Sequence, residues 1–218
     1  MPSPVLFDID GRGVATITLN RPQRLNAISM AMRDLLWEYL EACRDIPDVR
    51  AIVFRGSGSS FCAGADIAEF GTAPSIMAAR AARHERDVWW LLLTQRCPTV
   101  VAMHGFCFGA GLELPLCCDM RIAAEGTQFG LPEVSLGYIP SACATQTLPR
   151  TIPPGIAARM IITGEPIGTK DALRWGLVRQ VVPADGLDAA VESAVEEALS
   201  GDAAAIMVRR RAMAGSEG

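Results

Sequence analysis

The sequence has 218 residues, of which 50% are hydrophobic and 20% are charged, and its formal net charge is −4. This composition predicts a soluble, globular protein with one main domain and an appendage, and no apolar stretch is long enough to suggest a membrane partner. The negative net charge argues against nucleic acid as a partner, because nucleic-acid-binding proteins usually carry a basic stripe, and the only basic run here is residues 209–211.

The chain opens on a predicted β-hairpin and an amphipathic helix. Residues 1–10 lack the basic flank and apolar run of a signal peptide, so we expect a cytoplasmic protein. Strands at 5–7 and 14–19 flank a glycine-bearing turn, and Ser29 is the predicted N-cap of a helix that continues to about residue 44. The continuous apolar run at 51–54 predicts a strand covered on both faces.

Further along, strands and helices continue to alternate. A long helical region is predicted within residues 75–95, a second buried strand at 99–103, a helix opening near Ala110 and a short strand at 120–123. This alternation predicts an α/β fold with parallel strand pairing.

The pattern becomes helical after residue 141. Pro153 and Pro154 are predicted to open one helix, Thr169 to cap another, and residues 187–199 to form a last one. Residues 183–186 are the best candidate for a hinge, which divides the chain into a core at 1–183 and the start of a C-terminal helical region at 184–218.

Two loops of small residues follow the two buried strands, at 62–66 and 109–111. Ligands gather at the carboxyl ends of parallel strands, where helix N-termini offer unpaired N–H groups. Two such loops side by side predict an oxyanion hole, in which the backbone itself must approach the substrate. Alternatively, their glycines serve only tight turns and close packing.

Two glutamates stand out beside these loops, Glu113 and Glu133, which are 20 residues apart. Glu113 lies within an apolar helix, where it loses solvation, as a general acid or base near neutral pH requires. A carboxylate pair in such surroundings predicts proton transfer. The alternative for Glu113 is a first-turn residue that interacts with the dipole of its own helix.

Motifs for other chemistries are missing from the sequence. Position 114 is Leu, so residues 109–114 do not form a dinucleotide fingerprint, and there is neither a P-loop nor a G-x-S-x-G elbow. The 7 cysteines form no C-x-x-C pair, and there are only 2 histidines. We therefore predict no metal site and no disulfide framework.

Long segments of the chain resemble, in the correct order, the crotonase superfamily, the enoyl-CoA hydratase/isomerase group. They are residues 19–27, 61–67, 105–119, 129–140, 173–178 and 181–183. The resemblance implies a crotonase-like ββα spiral core followed by a C-terminal helical appendage. It also implies an acyl-CoA substrate, with coenzyme A as part of that substrate and no separate cofactor, and a homotrimer or hexamer.

The resemblance also implies which residues form the site. The amides of Ala65 and Ala110 would polarise the thioester carbonyl. Coenzyme A and the substrate would contact the loop at 24–27, the loop at 63–67 and two further positions. Arg24 would be available to bind a phosphate. These binding residues are Arg24, Leu25, Ala27, Ala63, Ala65, Asp66, Ile67, Gly109 and Pro132.

Hydratases of this family resemble the chain in having both glutamates. The hypothesis is that Glu113 takes a proton from water as it adds to the β carbon, while Glu133 protonates the α carbon, the two carboxyl groups sharing one proton. An enoyl-CoA isomerase, which needs only one carboxylate, is the alternative within the fold. A non-enzymatic binding protein is the alternative outside enzymes.

The chain departs from the family pattern at three places. Ala110 stands where the family often has Gly, and residues 141–144 replace a glycine-rich turn whose backbone helps to seat the water in hydratases. The sequence ends at Gly218, a few tens of residues before the family's usual end, which implies a truncated C-terminal region or a different assembly. Phe70, Trp89 and Trp90 either line the acyl pocket or belong to the core.

Overall fold

The computed structural model describes residues 2–75, 77 and 85–201. Much of the helical region predicted at 75–95 and the basic run at 209–211 lie outside these residues. Within the described part of the chain, no helix is both long and apolar enough to cross a membrane.

A six-stranded sheet is the centre of the molecule, and a three-stranded sheet lies beside it. In chain order the strands are β1 (Val5–Ile9), β2 (Val14–Leu19), β3 (Ala51–Gly56), β4 (Thr99–Met103), β5 (Phe106–Phe108), β6 (Met120–Ala124), β7 (Gln128–Gly130), β8 (Ile167–Gly168) and β9 (Gln180–Val182). The large sheet has the order β1-β2-β3-β4-β6-β9, and the small sheet has the order β5-β7-β8. From β2 to β9 every pairing in the large sheet is parallel, so the predicted parallel α/β arrangement is confirmed.

The helices cover the sheets and connect the strands. They are α1 (Met30–Asp45), α2 (Val88–Leu93), α3 (Ala110–Leu116), α4 (Ala144–Thr151), α5 (Pro154–Thr163), α6 (Thr169–Arg174) and α7 (Leu187–Ser200). Short 3-10 turns lie at Pro22–Arg24, Ile67–Glu69, Pro132–Leu136 and Ala184–Gly186.

Local signals in the sequence explain several element boundaries. The Ser29 hydroxyl accepts a hydrogen bond from the Met32 N–H, which confirms the predicted N-cap of α1. Pro154 is the first residue of α5, as predicted, because proline lacks the N–H that a helix leaves unpaired there. The prediction that Thr169 is the N-cap of α6 is wrong by one residue. Gly168 is the N-cap, and Thr169 is the first residue of the helix.

Both faces of the central strand β3 are buried, as its continuous apolar run predicts. Ile52 and Phe54 belong to the larger core cluster, whereas Val53 belongs to a second cluster on the opposite face. Helix α7 contributes Val191 and Val195 to that second cluster. The boundary at residue 183 stays a prediction, but the helix that follows it packs directly onto the sheet.

Candidate active site

The two small-residue loops lie against each other. Cys62 donates its N–H to the Phe106 carbonyl (2.9 Å) and accepts from the Phe108 N–H (3.0 Å), so the first loop pairs with β5. Because β5 leads directly into α3, this pairing brings the loop at 62–66 beside Gly109. Ala65 and Ala110 consequently line one cavity of about 690 Å³.

The backbone amides of Ala65 and Ala110 are available for a ligand. A parallel bridge joins Ile28 to the loop through the Gly64 carbonyl (2.8 Å) and the Asp66 N–H (2.9 Å), and it does not use the Ala65 N–H. Ala110 is the first residue of α3, where helical N–H groups have no partner within the helix. Within the described residues, neither amide donates a hydrogen bond.

Glu113 is held by a cradle of three backbone amides. Its side chain is buried in α3, and its Oε1 atom accepts hydrogen bonds from the N–H groups of Ala142 (2.9 Å), Cys143 (2.9 Å) and Ala144 (3.0 Å). Such N–H donors stabilise negative charge on the oxygen. The carboxylate therefore interacts with the start of α4, and the segment at 141–144 that departs from the family pattern supplies these donors.

Glu133 lies in a different environment on the same cavity wall. Its side chain is buried, and no described residue forms a hydrogen bond to its Oε2 atom. Burial raises the pKa of Glu133 to about 7, the negative charge of Glu113 adds to this effect, and a bond to its own backbone N–H opposes it. Glu133 is thus protonated in a large fraction of molecules near neutral pH.

A glycine makes room for Glu133. Gly109 has a φ of +53°, and a Cβ atom placed on it would lie 2.9 Å from the Glu133 Oε1 atom. Any side chain here would combine strained backbone with a collision at the carboxyl group. The loop that presents Ala110 therefore depends on glycine at this position.

The loop at 21–27 is held in place by the buried side chain of Asn26. Leu25 and Asn26 have positive φ angles (48° and 56°), and the Asn26 side chain is fully buried. Asn26 accepts from the Arg21 N–H (2.8 Å) and donates to the carbonyls of Ser57 and Ser60 (2.8 Å each). These bonds tie the loop to the segment after β3.

Arg21 links that loop to the loop at 62–66. Its guanidinium donates to the Ala27 carbonyl (2.7 Å) and to the Asp66 carboxylate (2.9 Å). The hydrogen bond from Arg21 lowers the pKa of Asp66, and the Asp66 side chain also caps the turn Ile67–Glu69. The hydrogen bonds of the Asp66 carboxylate are thus structural bonds within and next to its own loop.

The predicted binding residues divide into two groups. Ala65 and Asp66 line the cavity together with Ala110, Glu113 and Glu133. The others do not line it, although Ala63 bonds to the Leu25 carbonyl (2.9 Å) and places the two loops in contact. The residues outside the cavity wall are Arg24, Leu25, Ala27, Ala63, Ile67, Gly109 and Pro132.

Several cavity residues were not predicted from the sequence. Tyr138 lines the cavity, and its ring packs edge-on against Phe70 at 5.6 Å, so the segment after the turn Pro132–Leu136 contacts the segment after the turn Ile67–Glu69. Arg33 of α1 also lines it. Of the aromatic residues considered above, Phe70 and Trp89 line the cavity, whereas Trp90 is 50% exposed outside it. The position of Arg33 at a helix start gave no sequence signal.

No group of three or more His, Cys, Asp or Glu residues in the described ranges is arranged to hold a metal ion. The absence of a metal stays a prediction. The cavity brings together the carboxyl groups of Glu113 and Glu133 and the backbone amides of Ala65 and Ala110. That combination can move protons next to a polarised carbonyl.

Comparison with known proteins places these features in a family context. The family model described as enoyl-CoA hydratase/isomerase matches residues 10–217. The (E)-benzylidenesuccinyl-CoA hydratase of Thauera aromatica is 34% identical over 210 residues, which cover 96% of this chain and 81% of that protein. The crotonyl-CoA hydratase of Syntrophomonas wolfei is 37% identical over 175 residues, which cover 80% of this chain and 67% of that protein.

A solved structure extends the similarity to three dimensions. The crystal structure of an enoyl-CoA hydratase from Mycobacterium smegmatis matches with a TM-score of 0.88 at 32% identity, covering 95% of this chain and 80% of that one. This match confirms the predicted crotonase-like fold.

Proposed function

Because this chain belongs to the enoyl-CoA hydratase/isomerase family, we propose that it is an enoyl-CoA hydratase, which adds water across the α,β double bond of an enoyl-CoA thioester. The observation that carries the proposal is the unequal carboxyl pair in one cavity. Glu113 accepts three backbone N–H groups, whereas burial holds the pKa of Glu133 at about 7.

The proposed oxyanion hole consists of the Ala65 and Ala110 amides. When water adds to the β carbon, the double-bond electrons move toward the thioester carbonyl and negative charge develops on its oxygen. Two N–H donors at this oxygen stabilise the resulting enolate. Their position in one cavity with both glutamates supports this assignment.

The proton transfers follow from the two carboxyl environments. Glu113, as the carboxylate, accepts a proton from the water whose oxygen bonds to the β carbon, and protonated Glu133 then gives its proton to the α carbon. The elements of one water molecule are added, and a proton must return from Glu113 to Glu133 before the next cycle. The reaction needs no cofactor beyond the coenzyme A of the substrate.

Coenzyme A is proposed to lie along the loops at 24–27 and 63–67, with Arg24 contacting a phosphate. The bond between Ala63 and Leu25 and the bonds of Asn26 support this placement, because they hold the two loops together. Gly109 and Pro132 would contact the thioester end beside the glutamates.

The direct test is loss of the enoyl thioester absorbance with a panel of short, medium and cyclic enoyl-CoA substrates. We expect loss with at least one of them, and appearance of the 3-hydroxyacyl-CoA product. No loss with any member, together with conversion of a 3-enoyl-CoA into the conjugated 2-enoyl form, would identify an isomerase instead. No conversion of either kind would favour a non-enzymatic protein.

We also propose a homotrimer, which can pair into a hexamer, and a location in the cytoplasm. Apolar side chains on neighbouring surface segments support an interface between copies: Leu136, Ile139 and Ile162 are 53%, 66% and 70% exposed. Light scattering on the purified chain should give three or six times the chain mass, and a monomer would contradict the proposal.

A further inference from the structure

Cys143, the N-cap of α4, contacts Glu113 at both ends of that residue. Its N–H donates to the Glu113 Oε1 atom at 2.9 Å, and its thiol donates to the Glu113 backbone carbonyl oxygen at 3.4 Å. Cys143 lies in the segment at 141–144 that departs from the family pattern. The proposed chemistry involves the amide of Cys143 but assigns no role to its thiol.

A second thiol, that of Cys117 at the end of α3, contacts the same carbonyl oxygen. Its Sγ atom lies 3.4 Å from the Glu113 carbonyl oxygen and 3.4 Å from the Cys143 Sγ atom, and both cysteines are buried. We refer to Cys117 and Cys143 together as the thiol pair. The hydrogen bond with Cys143, together with burial, raises the pKa of Cys117 well above its usual range. The Cys117 thiol therefore keeps its proton and can act as a donor.

The geometry at the end of α3 explains why the Glu113 carbonyl needs these donors. In a regular α-helix the Cys117 N–H would bond to the carbonyl of Glu113, four residues earlier. Here it bonds instead to the Leu114 carbonyl at 3.0 Å, as in a tightened last turn. Glu113 is only 3% exposed, and a buried carbonyl without a donor is unfavourable. The two thiols thus take the place of the N–H that the tightened turn removes.

The start of α4 is the other half of this arrangement. The Cys143 carbonyl accepts hydrogen bonds from the N–H (2.9 Å) and the hydroxyl (3.0 Å) of Thr147, which anchor Cys143 to the first turn of α4. A shift of Cys143 would therefore move the three amides at 142–144 that hold the Glu113 carboxyl group. The carbonyl and the carboxyl group of Glu113 are both bonded to the same helix start.

We propose that the thiol pair positions Glu113 for catalysis by holding the end of α3 against the start of α4. This inference rests on the proposed role of Glu113 as the proton acceptor and adds two positioning residues to it. Within the described residues, neither cysteine lines the cavity, so the thiols act through Glu113 and not on the substrate. A small displacement of a reacting group is sufficient to slow catalysis by orders of magnitude.

The test removes both thiols and measures hydration. In Cys117→Ala/Cys143→Ala, kcat should fall about tenfold to hundredfold while KM changes less than about twofold, because Glu113 shifts and the substrate-binding groups stay in place. Cys117→Ser/Cys143→Ser keeps hydroxyl donors for the same carbonyl, so it should regain most of the lost kcat. Cys43→Ala removes a buried thiol of α1 outside the cavity wall, and this matched control should leave kcat unchanged.

Exchange of the α hydrogen separates the positioning of Glu113 from a general disturbance of the site. On a saturated acyl-CoA, exchange with solvent depends on Glu133 in the proposed mechanism and not on Glu113. The exchange rate in Cys117→Ala/Cys143→Ala should therefore stay near the wild-type rate while hydration slows. An equal loss of exchange and hydration in this variant, or a wild-type kcat for hydration, would overturn the inference.

The inference and the proposed function fail in different ways. A wild-type protein that hydrates no enoyl-CoA overturns the proposed function, and the crystal structure of Cys117→Ala/Cys143→Ala then decides on the thiol pair. A Glu113 Oε1 atom displaced from the amides at 142–144 supports the positioning role, whereas an unchanged carboxyl group overturns it. If the double variant does not fold, Cys143→Ala alone is judged by the same measurements.

Discussion

Glu113 and Glu133 line one cavity in opposite hydrogen-bonding environments. Three backbone N–H groups converge on the Oε1 atom of Glu113, whereas the Oε2 atom of Glu133 is buried and receives no hydrogen bond from any described residue. Burial disfavours negative charge on Glu133 and raises its pKa, which makes Glu133 the candidate proton donor of the pair. Glu113 is instead fixed in place by its three N–H donors, which suits the proposed role of proton acceptor.

Replacing Glu113 by glutamine should remove the proton acceptor and keep the fold. The Gln oxygen can still accept the N–H groups of residues 142–144, so the shape of the cradle is retained. We expect kcat for hydration to fall about a hundredfold to ten-thousandfold with little change in KM. Steady-state kinetics measures this, with circular dichroism as the check on folding; full activity in Glu113→Gln would contradict the assignment.

The activity should depend on pH through Glu133. As a general acid Glu133 must be protonated, and its pKa is raised to about 7. We expect kcat/KM to fall roughly tenfold for each pH unit above that value, as Glu133 loses the proton that it must donate. In Glu133→Gln the activity should be strongly reduced and this decline should disappear.

Isotope exchange separates the role of Glu133 from a general loss of activity. Exchange of the α hydrogen with solvent should be lost in Glu133→Gln, because this residue is the proposed donor to the α carbon. Exchange at the wild-type rate in the variant would assign that step to another group. The same measurement in Glu113→Gln is the matched control for the β-carbon step.

The raised pKa of Glu133 also predicts how stability changes with pH. A carboxyl group that is protonated in both the folded and the unfolded state does not change the free energy of unfolding. Glu133 has a pKa of about 7 in the folded state and 4.5 when unfolded, so its ionisation lowers the free energy of unfolding progressively between pH 4.5 and about pH 7. Glu133→Gln should therefore become more stable relative to wild type by on the order of 3 kcal/mol over that window. Denaturant unfolding at pH 4 and pH 8, at equal protein concentration, tests this, and a difference that does not change with pH would contradict it.

Local sequence patterns were sufficient for five of the six strands of the main sheet and for the glutamates; the three-residue strand β9 was not predicted. The apolar run at 51–54 predicted a strand buried on both faces, and its side chains do divide between two core clusters. Glu113 was identified because a carboxylate inside an apolar helix is unusual. These signals lie within a few residues of each other, which is why a single sequence reveals them.

Features that depend on contacts between distant segments were not predicted. Strands β5, β7 and β8 have only two or three residues each, too few to show a periodic pattern. The cradle around Glu113 joins residues about 30 positions apart, and its donors are backbone groups that carry no side-chain signature. Arg33 likewise reaches the cavity only through the packing of α1.

Gly109→Ala should impair catalysis more than stability. The added Cβ would lie 2.9 Å from the Glu133 Oε1 atom, so Glu133 or the Ala110 amide must move. A displacement of this kind costs about a hundredfold in kcat. Gly126→Ala is the matched control, because Gly126 has a similar positive φ of +79° but nothing within 4 Å of the new Cβ. Equal activities in the two variants would show that the contact with Glu133 is unimportant.

Asn26→Ala should destabilise the loop that holds the proposed coenzyme A site. The fully buried side chain accepts one hydrogen bond and donates two, so its removal leaves three backbone groups unpaired and should lower the free energy of unfolding by about 2–4 kcal/mol. Asn26→Gly loses the same bonds without straining the positive φ of 56°, and it separates the two effects. Asn20→Ala, which loses one exposed bond to the Ser3 carbonyl, is the control.

The same Asn26 variants also test the proposed position of coenzyme A. Because the loop contacts Ala63 through Leu25, KM for the acyl-CoA should rise in both Asn26 variants, and an unchanged KM would place coenzyme A elsewhere.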